Sequence, residues 1–242
     1  MPEPTIGSRA RAGRLVARPR RSARSGPVGL QRPVLDGQRD VLVWVPDAYR
    51  PGTPAPLLVL LHGAGGNAQG GLRLVGSLAD EVGVILVAPA SRGQSWDVLY
   101  GGYGPDVETL DHALQFVFER YTIDPDRLGI GGFSDGASYA LSLGITNGDL
   151  FSHILAFSPG FVAPEAQRDK PAIFVSHGTR DEVLPIETCS RRIVPLLRGA
   201  GYEVAYREFG GPHTVPVDIA REALTWLGAN RAIQPASTEP VG

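Results

Sequence analysis

The chain reads as one α/β domain, built on a mostly parallel sheet with helices on both faces. Three observations lead there. Short, continuously apolar runs such as Leu57–Leu61 and Val84–Ala88 suit strands buried on both sides of a parallel sheet. Segments of helical periodicity alternate with them, as parallel connections require. The conspicuous polar clusters all follow strand segments, where the loops of such sheets carry chemistry. A length of 242 residues fits a single domain of the larger kind.

The elements follow in order. Residues 1–27 are rich in Arg, Ser, Gly and Pro and read as a flexible Arg-rich extension, with a first edge strand near Gly13–Ala17. They lack the apolar region of a secretory signal, and no apolar stretch follows Arg20-Arg21. Residues 28–229 form the expected catalytic domain and 230–242 a frayed tail. Val41–Val45 is a strand ended by Pro46. Leu57–Leu61 is the next strand, followed by the glycine-rich loop His62-Gly63-Ala64-Gly65-Gly66-Asn67. A helix is expected over Leu72–Glu81 and a buried strand over Val84–Ala88.

Residues 89–104 form a long irregular segment, and loops of that length are commonly functional. Pro105 opens a helix with Asp106 and Glu108 in its first turn. Its apolar face runs through Val107, Leu110, Leu114, Val117, Phe118 and Tyr121, while His112 lies on the other face. Asp124-Pro125-Asp126 reads as a turn into the strand Arg127–Ile130, followed by a helix from Ala137. Strands at His153–Phe157, Ala172–Ser176 and Glu203–Phe209 follow, with a helix over Cys189–Gly199. The last helix starts near Pro216 and should bury Val217, Ala220, Leu224 and Leu227.

Composition narrows the function classes. The single cysteine, Cys189, excludes an intramolecular disulfide and fits a reducing, cytoplasmic setting. No run is long enough to cross a bilayer, so no membrane span is expected. Neither C-x-x-C nor H-E-x-x-H occurs, so no metal is expected. The first forty residues carry nine arginines against three acids, +6 within a net charge of −2. That arm has no aromatic residues to stack on bases, so no nucleic-acid partner is expected.

The chemistry centres on Gly132-Phe133-Ser134-Asp135-Gly136, a G-x-S-x-G between a strand and a helix. In that context the serine sits exposed on a strained turn at a helix N-terminus. The five letters alone are weak evidence, because glycine and serine are common loop residues. Serine needs a base, and histidine suits the role because its ordinary pKa lies near neutrality. His213 follows the last strand in Gly210-Gly211-Pro212-His213. His62 and His177, each before a glycine at a strand end, read as supports behind the site or packing residues rather than catalytic ones. The acid that orients the histidine is Asp181, with Glu182 as competitor and Asp135 aimed into the helix start.

An oxyanion hole needs backbone N–H donors. Asp135 and Ala64 are the expected donors, with Gly63 as the alternative to Ala64. Trp96, Tyr100, Phe161, Leu184 and Val215 are expected pocket walls, with Gly63 also against substrate, because their loops flank the triad.

Four motifs in order, Leu60–Asn67, Gly132–Gly136, His177–Asp181 with Val183-Leu184-Pro185, and Gly211-Pro212-His213, resemble the α/β-hydrolase superfamily. Within it they look like the phospholipase/carboxylesterase group, similar to acyl-protein thioesterases and poly(3-hydroxybutyrate)-depolymerase-like esterases. The resemblance covers about residues 40–228. It implies an α/β-hydrolase fold of about eight strands, no cofactor, a small-molecule ester substrate, and hydrolysis through an acyl-enzyme on Ser134, Asp181 and His213. It also favours Asp181 over Glu182. No long insert suggests a large lid. A thioesterase or small peptidase would use the same triad, and a non-catalytic binding protein would keep the same fold.

Overall fold

The computed structural model describes residues 6–20, 25–35 and 40–229. The expected tail over 230–242 lies outside the described residues. Eight strands form one sheet: β1 (Gly29–Gln31), β2 (Val41–Val45), β3 (Ala55–Leu61), β4 (Ile85–Pro89), β5 (Ile123–Phe133), β6 (His153–Phe157), β7 (Ala172–Gly178) and β8 (Val204–Phe209). Their order is β1-β2-β4-β3-β5-β6-β7-β8. β1 and β2 are antiparallel, as are β2 and β4; every other pair is parallel. The chain passes from β3 out to β4 and returns across β3 to β5. The sheet therefore switches direction between β3 and β5, the place beyond whose carboxyl ends such sheets bind ligands.

Helices α1 (Ile6–Arg11), α2 (Ala68–Arg73), α3 (Ala79–Val82), α4 (Pro105–Phe118), α5 (Asp135–Thr146), α6 (Ser190–Gly199) and α7 (Val217–Gly228) flank the sheet. Two apolar layers sandwich it. One holds Leu57, Val59 and Leu61 of β3 against α4, α5 and α6; the other holds Leu58 and Leu60 of the same strand against α2 and α7. Side chains alternate across a strand, so an unbroken apolar run is what a doubly covered strand needs. Leu57 through Leu61 are all fully buried.

Several expectations change. The edge strand near Gly13–Ala17 is absent, and β1 takes the sheet edge instead. Residues 6–20, expected as part of a flexible extension, dock on α4 and the end of α5. Leu15 is buried. Side chains satisfy the backbone there: Asp111 Oδ1 accepts from Val16 N and Ala17 N, while Asn147 accepts from Leu15 N and donates to Gly13 O. The Arg14 guanidinium forks onto Asp149 at 2.7 and 2.8 Å. Asn and Asp side chains here do the work of a strand neighbour, which strand propensity could not reveal.

The helix expected over Leu72–Glu81 is broken. Asn67 caps it early by accepting from Gly70 N, and the glycines at 70, 71 and 76 weaken its continuation. Asp124-Pro125-Asp126 is no separate turn but part of β5, beside a register shift against β3 between Ala55 and Leu57. Such a bulge accommodates proline within a strand. Val217 of α7 is exposed, so the buried face runs instead through Ile219, Ala220, Ala223, Leu224 and Leu227. The apolar face expected for α4 is buried throughout. No described helix is long and apolar enough to cross a membrane.

Candidate active site

Ser134 sits between the end of β5 and the start of α5 with φ 58° and ψ −121°. A positive φ is costly for a residue with a Cβ, and here the surroundings impose it. Ser134 N donates to Phe157 O of β6 at 2.9 Å, while Ser134 O accepts from Ala137 N and Ser138 N at 3.0 Å. The turn is thus pinned to the neighbouring strand on one side and to the first turn of α5 on the other. The loop after β3 lies directly alongside: a Cβ placed on Gly63 would approach Ser134 Cβ to 3.3 Å.

The N–H groups of Gly63, Ala64 and Asp135 donate to no acceptor among the described residues. Two of them, Ala64 and Asp135, are the expected oxyanion donors. The loops carrying them are held from below. His62 Nε2 accepts from Ser91 N at 3.0 Å, so Nδ1 bears the hydrogen and donates to Gly63 O at 2.7 Å. Burial lowers the pKa of His62 and keeps that ring neutral. Trp96 donates from Nε1 to His62 O at 2.9 Å and stacks on Tyr139. Trp96 is fully buried. It is therefore a prop beneath the loop rather than the pocket wall expected, because its indole N–H finds its acceptor in the interior.

The segment after β4 is clamped by two carboxylates. Asp97 accepts from Tyr139 Oη, Gly104 N and Asp106 N; Asp106 accepts from Arg92 N and Asp97 N. Burial raises the pKa of both, that of Asp106 to about 6. Ser95 Oγ donates to Asp135 Oδ2 at 2.6 Å, tying the same segment to the residue after Ser134.

The expected acid and base come from the other half of the sheet. Asp181 Oδ2 accepts from His213 Nδ1 at 2.6 Å. Asp181 Oδ1 accepts from Val183 N and Leu184 N at 2.9 and 2.8 Å. Burial would push the Asp181 pKa up, but these N–H groups and the His213 ring outweigh it and the net shift is downward. Glu182, the competing acid, is exposed. The His213 ring lies against Phe133, with centroids 4.4 Å apart, and so reaches the residue preceding Ser134. No hydrogen bond joins Ser134 to His213 in this structure.

Of the remaining expected walls, Leu184 packs its methyls beside Gly160, next to the half-buried Phe161. Tyr100 is 65% exposed. Val215 packs into the layer holding Leu224 and Leu227. Sequence reasoning missed Ser138, whose Oγ accepts from Gly160 N at 2.9 Å and Phe161 N at 3.4 Å. Ser142 and Thr146 hold Ala163 N and Glu165 N in the same way. The i, i+4 spacing of these three hydroxyls on α5 was the available signal. Among the described residues no cluster of three His, Cys, Asp or Glu side chains is placed to hold a metal ion.

A strained serine at a strand-to-helix elbow, an Asp–His pair and free N–H groups, all at one edge of this sheet, define the α/β-hydrolase class. The esterase family model, described as "Putative esterase", matches residues 33–181, more than half the chain. The chain belongs to that family. It is 29% identical over 184 residues to "Probable feruloyl esterase C" of Aspergillus oryzae, covering 68% of this chain and 65% of that protein. It is also 32% identical over 99 residues to acyl-protein thioesterase 1 of Gibberella zeae, covering 37% and 41% of the two chains. The chain thus spans less than two thirds of the length of these curated relatives. Among solved structures, esterase PE8 superposes with a TM-score of 0.63 at 24% identity, covering 83% of this chain and 98% of that one. FphF, a fluorophosphonate-binding serine hydrolase of Staphylococcus aureus, gives 0.65 at 16% identity, covering 85% and 99%.

Proposed function

We propose that the protein is a serine carboxylic-ester hydrolase acting on small to medium acyl esters through Ser134, His213 and Asp181. The observation that supports it most is the 2.6 Å Asp181–His213 hydrogen bond at the sheet edge that also carries Ser134. With Nδ1–H engaged by the carboxylate, His213 keeps Nε2 free as a base. Nε2 takes the Ser134 proton as Oγ attacks the ester carbonyl carbon. The N–H groups of Ala64 and Asp135 receive the developing oxyanion. Collapse of the tetrahedral species breaks the carbon–oxygen bond, and His213 returns the proton to the leaving alcohol. Water then attacks the acyl-serine by the same route, restoring Ser134 and releasing the acid.

The test is hydrolysis of p-nitrophenyl esters of increasing acyl length by wild type and Ser134→Ala. The panel adds a hydroxycinnamate ester and an acyl thioester, since relatives are named feruloyl esterases and an acyl-protein thioesterase. The variant should lose at least about 10³-fold in kcat. A variant that keeps a tenth of wild-type activity would sink the assignment, and a preference for the thioester would move the reading to a thioesterase.

A further inference from the structure

We infer that His177 is a positioning residue for Asp181: a buried, neutral imidazole whose Nε2–H ties down the Leu184 peptide that grips Asp181, beside the carboxylate oxygen that His213 uses. The inference rests on the triad reading above and extends it by one residue that the reaction does not touch.

The tautomer follows from the partners. His177 lies on β7 and is wholly buried. Its Nε2 is 2.8 Å from Leu184 O and 3.3 Å from Asp181 Oδ2. A carbonyl and a carboxylate can only accept, so Nε2 must carry hydrogen. On the other side Nδ1 is 2.7 Å from Ser190 Oγ, at the first residue of α6. Ser190 is also fully buried, and Nδ1 is the one acceptor its hydroxyl has among the described residues. The hydroxyl therefore donates to Nδ1, which leaves that nitrogen without a proton and the ring uncharged. Burial favours the same state by lowering the pKa of the ring.

The consequence falls on Asp181. Its Oδ1 is held by two backbone N–H groups and its Oδ2 by His213, with His177 Nε2 3.3 Å from that oxygen. The two N–H bonds to Oδ1, one of them from the Leu184 peptide that His177 anchors, orient the carboxylate without help from the base. His177 also closes the loop after β7, since Leu184 gives its N–H to Asp181 and its carbonyl to His177. The other charged groups around the ring are balanced. Glu208 of β8 lies opposite His177 in the sheet and is bridged to Arg191 of α6; Arg180 donates to Gly210 O. Glu182 is exposed.

His177→Leu removes the donor, and His177→Gln returns an amide N–H at the reach of Nε2. Hydrolysis of p-nitrophenyl acetate should show kcat reduced about ten-fold in the leucine variant, with KM within about two-fold. With the Leu184 peptide loosened and the Nε2–H dipole gone from beside Oδ2, Asp181 becomes the stronger base and stabilises the His213 cation. The acid limb of kcat/KM should therefore move up by about half a pH unit. His177→Gln should restore both. A loss of packing alone would lower activity without moving the limb, so an unmoved limb, or a glutamine variant as impaired as leucine, overturns the inference. Nitrogen-15 NMR of the wild-type imidazoles serves where the leucine variant does not fold. His177 should hold the neutral Nε2–H form at neutral pH, and an Nδ1–H tautomer or a cationic ring there overturns it. Retained activity in a Ser134→Ala control would overturn the triad itself, a result distinct from every His177 outcome.

Discussion

Gly132→Ala tests how tightly the elbow is built. A Cβ on Gly132 would lie 2.5 Å from both the carbonyl carbon and oxygen of Gly136 and 2.7 Å from Leu61 O. All three are backbone atoms, at the first turn of α5 and the end of β3, so no side chain can rotate away. Relief requires helix and strand to part by about 0.5–0.9 Å, the kind of overpacking that costs about 1–3 kcal/mol or more. At about 3 kcal/mol, a domain of this size should lose about 6–12 °C in Tm. Activity should fall further, because displacement of a nucleophile by about 1 Å costs on the order of 10²-fold. Thermal unfolding by circular dichroism and kcat/KM on one p-nitrophenyl ester measure the two effects. Gly199→Ala is the control: nothing lies within 4 Å of a Cβ there, and the helical site should gain about 0.5–1 kcal/mol. A Gly132→Ala enzyme with wild-type Tm and activity would refute the idea that this contact sets the serine's geometry.

Three further outcomes follow from named contacts. Asp181→Asn should lower kcat by on the order of 10⁴-fold, because an amide offers its N–H where the histidine needs an acceptor; steady-state kinetics would read this, and a loss below ten-fold would point to Glu182 instead. Ser138→Ala should cost about 1 kcal/mol in urea denaturation, since it strands the half-buried N–H of Gly160, and an unchanged midpoint would show that water replaces the hydroxyl. Asp149→Asn should cost about 1 kcal/mol at neutral pH by breaking the fork from Arg14. The Asp149 carboxyl is held well below the usual range by Arg14, so its contribution is complete above its unfolded pKa near 3.8 and is lost as pH falls. The gap between wild-type and variant Tm should then begin to narrow below about pH 4, and a gap unchanged between pH 7 and pH 3 would refute the ion-pair account.

The strands were legible wherever burial on both faces demands unbroken apolar runs, as in Leu57–Leu61 and Val84–Ala88. Spacing exposed the face of α4 from Val107 to Phe118 for the same reason. The elbow was legible because only small residues tolerate the crowding around Ser134, and the glycines announce it. Ser134 apart, the site residues could be proposed from sequence because each follows a strand at the loaded edge of the sheet. Their meeting was not legible: Asp181 and His213 are 32 residues apart, and only the parallel pairing of β7 with β8 brings the loops together.

Local propensity failed where a distant side chain supplied the partner. The stretch from Gly13 to Ala17 resembles an edge strand, yet Asp111 and Asn147 satisfy its backbone and dock it on α4 and α5. Trp96 looked like a pocket wall in an irregular loop, yet the acceptor for its N–H lies inside, at His62 O. His177 shows the limit most plainly. Its place before a glycine at a strand end is in the sequence, but its protonation depends on Ser190, Leu184 and Asp181 together. The sequence by itself determined the fold class and the chemical types at the strand ends, because burial and backbone strain act residue by residue. Which groups share a proton, and which polar atoms find a partner, was decided only when the sheet order brought them within hydrogen-bond reach.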